Sequence, residues 1–344
     1  MVKMWKEIFE QPAVLEKCLS NTAIIHDVVQ ALKTQEIHGV YIAARGTSDH
    51  AAVYGKYLME SILGIPVALA ASSVLTIYQK EINFKNTFVI GISQSGQAAD
   101  VIEVVHSAKK QGAVTLSITN TADSPLAKEA QFHLDCHAGV EESVAATKTF
   151  TAQMFLLAQF VSIWAANKHI TEELIKVPEK VSQTLTASQE IINKVDRYRF
   201  ISDCFVLARG INYAVSLEAA LKIKETNYIR AEAFSSSDFQ HGPIAAIDRN
   251  IPVMIFAPKG PSLADMTEMI KKLRDFGIEL IIISNQKELF EYSPCSFEIP
   301  NTENDLVSPF FNVVIAQMFA CQLALVRGLN PDQPRGLHKV TITK

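Results

Sequence analysis

Two related stretches decide the fold of this chain: GVYIAARG at residues 39–46 and CFVLARG at residues 204–210. Each is a short apolar run of strand-forming residues that ends in Ala-Arg-Gly, as expected for a buried strand that leads into a turn. Their last glycines, Gly46 and Gly210, lie 164 positions apart. The similarity indicates that one structural unit occurs twice.

The offset recurs further along the chain. TFVIGISQSG (residues 87–96) lies 164 positions before IPVMIFAPKG (residues 251–260), and GAVTLSITN (residues 112–120) lies 165 positions before GIELIIISN (residues 277–285). A nearly constant offset between similar segments is typical of an internal repeat. The chain is therefore interpreted as two copies of one unit.

Within each copy, apolar runs alternate with longer stretches of helical period, which is typical of parallel strands joined by crossover helices. We predict an α/β fold with two tandem, doubly wound, flavodoxin-like parallel sheets. Residues 147–193 contain no glycine, so the connection between the copies is predicted to be helical. The predicted boundaries are N-terminal helices over residues 1–34, a first domain over 35–167, a helical linker over 168–197, a second domain over 198–330 and a C-terminal tail over 331–344.

The composition is that of a globular protein that acts on small molecules. Of the 344 residues, 48% are apolar and 20% are charged, and the formal net charge is −4. This balance lacks the basic excess of nucleic-acid-binding domains, so no nucleic-acid partner is expected. The first residues, MVKMWKEIFEQP, include acidic side chains, and no apolar run is long enough for a membrane span. We expect a cytoplasmic protein with neither a signal peptide nor a membrane partner.

The five cysteines are Cys18, Cys136, Cys204, Cys295 and Cys321. Their spacing shows no C-x-x-C motif and predicts neither a zinc site nor a disulfide framework. The odd number suits a reducing compartment. We expect free, mostly buried thiols and no metal.

Polar side chains cluster where two strands of the first copy are predicted to end. They are Thr47 and Ser48 after the first strand, and Ser93, Gln94 and Ser95 after the strand FVIGI. At the carboxyl ends of parallel strands, hydroxyls, backbone N–H groups and helix N-termini can meet one anion, so a phosphate monoester site is predicted. The second copy has APKG (residues 257–260) in place of the serines, so only the first copy is expected to hold phosphate.

A simpler interpretation is that Ser48 and Ser95 are only the N-caps of helices that begin near Ala51 and Ala98. For one serine before a helix, this is the more common situation. Two clusters on adjacent strands favour the phosphate site.

Six segments carry a resemblance to a known family. They are ARGTS (residues 44–48), SQSG (93–96), SVAATKTFTAQ (143–153), LEAALKIKETNYIRAEAF (217–234), QHGPIAAID (240–248) and PRGLHKVTITK (334–344). In this order they resemble the isomerase half of glucosamine-6-phosphate synthase, a double sugar isomerase (SIS) domain protein. The chain begins Met-Val-Lys, so we expect the glutaminase domain and its N-terminal cysteine to be missing. It is also similar to SIS-type glucosamine-6-phosphate deaminases.

The resemblance implies roles for individual residues. Glu225 would move a proton between C1 and C2 of the sugar, with Glu218 in support. His241 would open the sugar ring and would come from the neighbouring subunit of a homodimer. Lys339 matches the lysine that forms a Schiff base with the open-chain ketose, in a tail that closes the active site. The implied sugar-phosphate-binding residues are Thr47, Ser48, Ser93, Gln94, Ser95 and Val144.

Taken singly, these residues have simpler explanations. Glu225 could be a surface glutamate paired with Lys222 or Lys224, a single histidine is more often structural, and a lysine near a terminus is usually solvated. The neighbouring motifs favour the catalytic interpretation.

Three positions depart from the synthase pattern. Arg45 stands where that family has cysteine, and Ala98 and Ala146 stand where it has hydroxyl side chains. These departures leave the identity of the phosphosugar open.

The predicted function is therefore aldose–ketose isomerisation of a hexose or hexosamine phosphate. The favoured reaction converts glucosamine 6-phosphate to fructose 6-phosphate and ammonia, or the reverse. No metal or organic cofactor is expected, because the adjacent carbonyl or iminium group already acidifies the proton. Two alternatives stay open: a deglycase of phosphorylated Amadori adducts, and a non-catalytic module that binds a sugar phosphate and regulates a partner.

Overall fold

The computed structural model describes residues 1–339 and divides into two compact units. The first-repeat unit contains residues 11–141 and 148–178 together with residues 338 and 339. The second-repeat unit contains residues 1–10, 142–147 and 179–337. Of the predicted C-terminal tail, residues 340–344 lie outside the described residues.

Regular elements of the first copy follow the predicted alternation of strands and helices. The strands are β1 (Gly39–Ala43), β2 (Val67–Leu69), β3 (Thr87–Ile92), β4 (Thr115–Thr119) and β5 (Phe132–Asp135). The helices up to the end of the connection are α1 (Lys3–Cys18), α2 (Thr22–Lys33), α3 (Thr47–Leu58), α4 (Ser73–Thr76), α5 (Ala99–Lys110), α6 (Pro125–Glu129), α7 (Lys148–Trp164) and α8 (Lys168–Ala187).

The second copy has the same alternation. Its strands are β6 (Asp203–Ala208), β7 (Arg230–Ser235), β8 (Val253–Phe256), β9 (Leu280–Ser284) and β10 (Cys295–Glu298). Its helices are α9 (Ile191–Lys194), α10 (Tyr213–Asn227), α11 (Ser236–Gln240), α12 (Leu263–Asp275) and α13 (Ser308–Val326).

Both sheets have five parallel strands in the same spatial order. The first runs β2-β1-β3-β4-β5, and the second runs β7-β6-β8-β9-β10. This is the flavodoxin-like order, in which the sheet grows in both directions from its first strand. The predicted fold of two doubly wound parallel sheets is confirmed.

The repeat extends to the helices that cover each sheet. The apolar faces of α5 and α12 show the i, i+3, i+4, i+7 spacing of an amphipathic helix and lie buried in the two cores. The four positions on α5 are Val101, Val104, Val105 and Ala108, and those on α12 are Met266, Met269, Ile270 and Leu273. Each of these four α12 residues lies 165 positions after the corresponding α5 residue. The packing of this helix against the sheet is therefore the same in both copies.

Helix α13 is a long apolar helix of the second-repeat unit. Together with the preceding turn, it is long and apolar enough to cross a membrane by length and composition. However, 83% of its most apolar window is buried inside the protein, as in the core helix of a globular domain. It packs against α10, where Asn227 Nδ2 donates to the Ala320 carbonyl oxygen at 2.9 Å.

Candidate active site

The predicted phosphate-binding residues lie at the topological switch point of the first sheet, between β1 and β3, where the strand order reverses. Strands β1 and β3 are neighbours, with Ala43 opposite Gly91, and the chain leaves each strand in the same direction. Thr47 and Ser48 follow β1, while Ser93, Gln94 and Ser95 follow β3. Parallel sheets of this order bind ligands at this switch point. The two polar clusters are therefore brought to one edge of the sheet.

The loops after β1 and β3 lead directly into helices α3 and α5. Helix α3 begins at Thr47, earlier than predicted, after Gly46 in a left-handed conformation at φ 55°. Ser48 is therefore a buried residue of its first turn rather than an N-cap. Helix α5 follows Ala98, which provides no capping side chain, and Ser95 Oγ accepts from Gln97 N at 3.3 Å. The interpretation of both serines as simple N-caps is wrong.

Gly96 holds the loop after β3 close to the start of α6. Its φ of 64° is left-handed, and a Cβ at this position would overlap the side chain of Ser124. Its amide donates to Ser93 Oγ at 3.1 Å, and its carbonyl accepts from Leu126 N at 3.1 Å. Only glycine combines this backbone conformation with this close approach.

An ion pair joins the two strand ends. Arg45 Nη2 lies 2.6 Å from Oδ2 of Asp100, whose side chain is buried in the first turn of α5. Asp100 Oδ1 also accepts from Val101 N at 3.0 Å. A buried carboxylate at this edge would repel an anion, and the guanidinium offsets its charge. Sequence reasoning noted Arg45 only as a departure from the family and missed its partner, which lies 55 positions away.

Helix α10 carries a buried cluster of three charges. Lys222 Nζ lies 2.6 Å from Glu225 Oε2 and 3.3 Å from Glu218 Oε1. The exposed fraction is 1% for the Lys222 side chain, zero for Glu218 and 21% for Glu225. The Lys222–Glu225 pair was foreseen as a possibility, but as a surface pair. Buried ion pairs of this kind are costly to desolvate and are seldom retained for stability alone.

The carboxylates keep Lys222 charged. Burial alone lowers the pKa of Lys222, but Glu218 and Glu225 raise it, and the net pKa lies above the ordinary value for lysine. One ammonium thus faces two carboxylate side chains. Glu225 is the member of the cluster that reaches the surface, so it is the one that a substrate could contact.

His241 lies on an exposed loop of the second-repeat unit. It ends the short helix α11 and precedes Gly242, whose φ is 145°. Its backbone N–H donates to the Asp238 carbonyl oxygen at 3.1 Å, and among residues 1–339 its ring has no hydrogen-bond partner. The structure therefore leaves the imidazole accessible.

Lys339 is paired with a buried acid. Its Nζ lies 2.9 Å from Oε2 of Glu141, and the Lys339 side chain is 26% exposed. Thr149 Oγ1 donates to the same oxygen at 2.8 Å, and Thr149 N donates to Oε1 at 3.2 Å. The alternative interpretation of Lys339 as a solvated side chain does not describe this position, because the side chain is partly buried and ion-paired. Sequence reasoning missed Glu141, although it lies just before the SVAATKTFTAQ motif.

The predicted site residues are divided between the two units. The first-repeat unit contains Thr47, Ser48, Ser93, Gln94, Ser95 and Lys339. The second-repeat unit contains Val144, Glu218, Glu225 and His241. Val144 N donates to the Asp332 carbonyl oxygen at 3.1 Å, which ties the motif around it to the segment before the tail.

The family to which the chain belongs follows from two domain matches. The SIS domain model matches residues 35–163 and again residues 202–327, which are the two sheet-forming copies. The chain is a double SIS-domain protein. Within residues 1–339 of this SIS protein, no three His, Cys, Asp or Glu side chains lie together as a metal site requires.

Relatives of the SIS protein include phosphosugar enzymes. The glutamine–fructose-6-phosphate aminotransferase (isomerizing) of Aquifex aeolicus is 37% identical over 99% of this chain. The chain spans 57% of that relative's length. The matching region contains the isomerase half and lacks the glutaminase domain.

Two solved structures share the fold over nearly their whole length. The C-terminal domain of glucosamine-fructose-6-phosphate aminotransferase from Francisella tularensis is 28% identical, with a TM-score of 0.87 over 97% of this chain and 98% of that one. Glucosamine-6-phosphate deaminase from Thermotoga maritima is 25% identical, with a TM-score of 0.81 over 99% and 100%. The SIS protein is therefore related both to a transferase domain and to a deaminase.

Proposed function

We propose that this SIS protein is a soluble aldose–ketose isomerase that deaminates glucosamine 6-phosphate. In the forward reaction the C2 proton moves to C1, which converts the open-chain aldose into a ketimine at C2. Water then hydrolyses the ketimine and yields fructose 6-phosphate and ammonia. The reverse reaction would consume free ammonia.

The observation that carries the proposal is the buried charge cluster on α10. Glu225 is partly exposed, and its carboxylate is held by Lys222, which is itself buried and shared with Glu218. A base that moves a proton between adjacent carbons must be fixed in place and shielded from bulk water. The cluster fixes the Glu225 carboxylate in place and leaves only a fifth of its side chain exposed, and a purely regulatory binding module would not require this.

The polar strand ends of the first-repeat unit support a phosphate-bearing substrate. Ser93 and Ser95 lie in a tight loop before α5, and Ser48 lies in the first turn of α3. Hydroxyls and helix N-termini at a switch point suit a phosphate monoester. We assign Thr47, Ser48, Ser93, Gln94 and Ser95 to phosphate and Val144 to the sugar.

We assign ring opening to His241. An accessible imidazole without a structural hydrogen bond can pass a proton to the ring oxygen. Its exposure in a single chain is in keeping with a homodimer in which the partner's active site receives this loop.

We assign Lys339 to the ketose end of the reaction. Glu141 Oε2 lies 2.9 Å from Lys339 Nζ, and this contact would position the amine for attack on the carbonyl of a ketose. The ion pair would keep the Lys339 side chain in place until a ketose binds.

The test is incubation of the purified protein with glucosamine 6-phosphate, with ammonia and fructose 6-phosphate measured together. We expect equimolar products with the wild type and none with Glu225→Gln. An amino acid released from phosphorylated Amadori adducts, with no ammonia from glucosamine 6-phosphate, would replace the deaminase with the deglycase. Binding of sugar phosphates without turnover of either substrate would leave the regulatory module.

A further inference from the structure

The second-repeat unit contains a cavity of about 500 Å³ beyond the last residues of α10 and α13. Three arginines, a buried asparagine and two aromatic residues contribute to its lining: Arg199, Arg327, Arg335, Asn227, Tyr228 and Phe200. None of the residues assigned to the isomerase site lines it. We propose that this cavity binds a small phosphorylated metabolite that carries hydroxyl groups, such as a nucleoside monophosphate or a sugar phosphate.

The arginines give the cavity an excess of positive charge. Arg199 is paired with Asp196 at 2.6 Å, but within residues 1–339 no carboxylate pairs with Arg327 or Arg335. The Arg335 guanidinium lies 4.2 Å from the centre of the Tyr228 ring, and its backbone N–H donates to Tyr228 Oη at 2.9 Å. Guanidinium groups held by stacking present their N–H fork to a phosphate.

Asn227 indicates a hydroxyl group in addition to the anion. It is fully buried, and its Nδ2 donates to Thr226 Oγ1 at 2.8 Å and to the Ala320 carbonyl oxygen at 2.9 Å. Its Oδ1 is buried and accepts no hydrogen bond from the described part of the chain. A buried acceptor without a donor is costly, and a ligand hydroxyl would satisfy it.

Phe200 supplies a flat apolar surface for the rest of the ligand. Its side chain is 91% exposed, which is unusual for a phenylalanine in a globular protein. An aromatic ring beside a cationic cavity suits a purine or the C–H face of a sugar. The volume lies within the range of small-molecule sites.

The alternative is that the arginines serve only to cap the negative ends of two helices. Such caps would donate to the last carbonyls of α10 and α13. Instead, Arg327 Nη1 donates to the carbonyl oxygens of Arg199 and Ile201, at 2.7 and 3.0 Å, and its Nε is buried without a partner. The side chain of Arg335 donates to no acceptor among residues 1–339. At least Arg335 is thus left available for a ligand.

The test is titration calorimetry of the full chain with AMP, and separately with fructose 6-phosphate. We expect one AMP per chain. Phe200→Ala and Arg335→Ala should each weaken AMP binding by about tenfold, the effect of about 1.4 kcal/mol of lost contact. The matched control is Ser95→Ala, which alters the phosphate loop of the other unit and should leave AMP binding unchanged. Because Phe200 is exposed, its replacement should not affect folding, and circular dichroism checks this.

The titration with fructose 6-phosphate distinguishes a cavity that binds sugar phosphates from one that binds nucleotides. If the cavity takes sugar phosphates rather than nucleotides, AMP will not bind, but Phe200→Ala and Arg335→Ala will each bind one equivalent of fructose 6-phosphate fewer than the wild type. The proposal is overturned if neither probe shows a site that depends on Phe200 and Arg335, or if Ser95→Ala abolishes AMP binding. Binding is measured directly, so failure of the deaminase assay would not affect the result.

Discussion

Lys222 Nζ lies 2.6 Å from Glu225 Oε2 and 3.3 Å from Glu218 Oε1, so one ammonium group serves two carboxylates in the interior of the second-repeat unit. Replacing Lys222 should therefore affect mainly stability, whereas replacing Glu225 should affect mainly activity. Lys222→Met would remove the cation between the buried Glu218 and the partly exposed Glu225, and it should lower the free energy of unfolding by about 3–5 kcal/mol. Urea denaturation measures this loss.

Glu225→Gln is the matched variant. It keeps the Lys222–Glu218 pair, so its free energy of unfolding should stay within about 1 kcal/mol of the wild type. It should nevertheless abolish exchange of the C1 and C2 protons of the sugar with D₂O, followed by NMR. Retained exchange in this variant would show that Glu225 is not the base.

Gly96 and Gly64 have nearly the same backbone conformation, with φ of 64° and 65°, but different surroundings. Gly64→Ala should cost about 1–2 kcal/mol of stability through the left-handed conformation alone, because nothing lies within 4 Å of the new Cβ. Gly96→Ala should cost more, because its Cβ would overlap Ser124. It should also weaken fructose 6-phosphate binding, which Gly64→Ala should not. Equal effects of both substitutions on thermal denaturation and calorimetry would contradict this account.

The Arg45–Asp100 pair predicts an electrostatic effect on phosphate binding. Arg45→Ala leaves the buried Asp100 carboxylate without its cation and should weaken fructose 6-phosphate binding by about tenfold. Because Arg45 is about half exposed, the loss of stability should be only about 1–2 kcal/mol. Adding Asp100→Asn to Arg45→Ala should restore much of the affinity. If the double variant binds no better than Arg45→Ala in calorimetry, the repulsion argument fails.

The buried cysteines predict a loss of stability at alkaline pH. Burial raises the pKa of Cys18, Cys204 and Cys321 from 9.0 to about 12 in the folded protein. Between pH 9 and pH 12 the thiols of the unfolded chain lose their protons, whereas those of the folded chain keep them. The contribution of these thiols to the free energy of unfolding is therefore fully present below about pH 9 and is lost as the pH rises towards 12. Urea midpoints measured across this range should decrease.

The same thiols should resist iodoacetamide at pH 8 in the native protein and react once it is unfolded. Rapid labelling of Cys18 in the native state would show that its burial is not maintained in solution.

Much of the fold could be predicted because its signals are local or periodic. Apolar runs marked the buried strands, and the offset between Gly46 and Gly210 marked the duplication that the two sheet orders confirm. The strand ends placed Ser48 and Ser95 at one edge of the sheet, but the start of α3 at Thr47 was missed. The start of α3 depends on the left-handed backbone turn at Gly46, which the amino-acid composition does not reveal.

The contacts that surround the predicted site residues could not be predicted. Glu141 and Lys339 are separated by 198 positions, and Arg45 reaches Asp100 only because β1 and β3 are neighbours. A pair between Glu225 and Lys222 was considered, but as a surface pair, and the burial of Lys222 depends on the packing of α10 against α13 and the strands β6 and β7. These features arise from tertiary contacts, and a single sequence does not encode them in any local pattern.

The position of α13 in the chain also bears on how the protein is made. The strands of the second sheet end at residue 298, whereas the helix that packs against α10 extends to Val326. During translation, α10 must therefore wait for its partner, with Lys222 and its carboxylates still hydrated. The contact between α10 and α13 cannot form until the ribosome has passed this helix, and the nascent chain exposes a long apolar segment at that stage. We expect this interval to be when the protein depends most on chaperones.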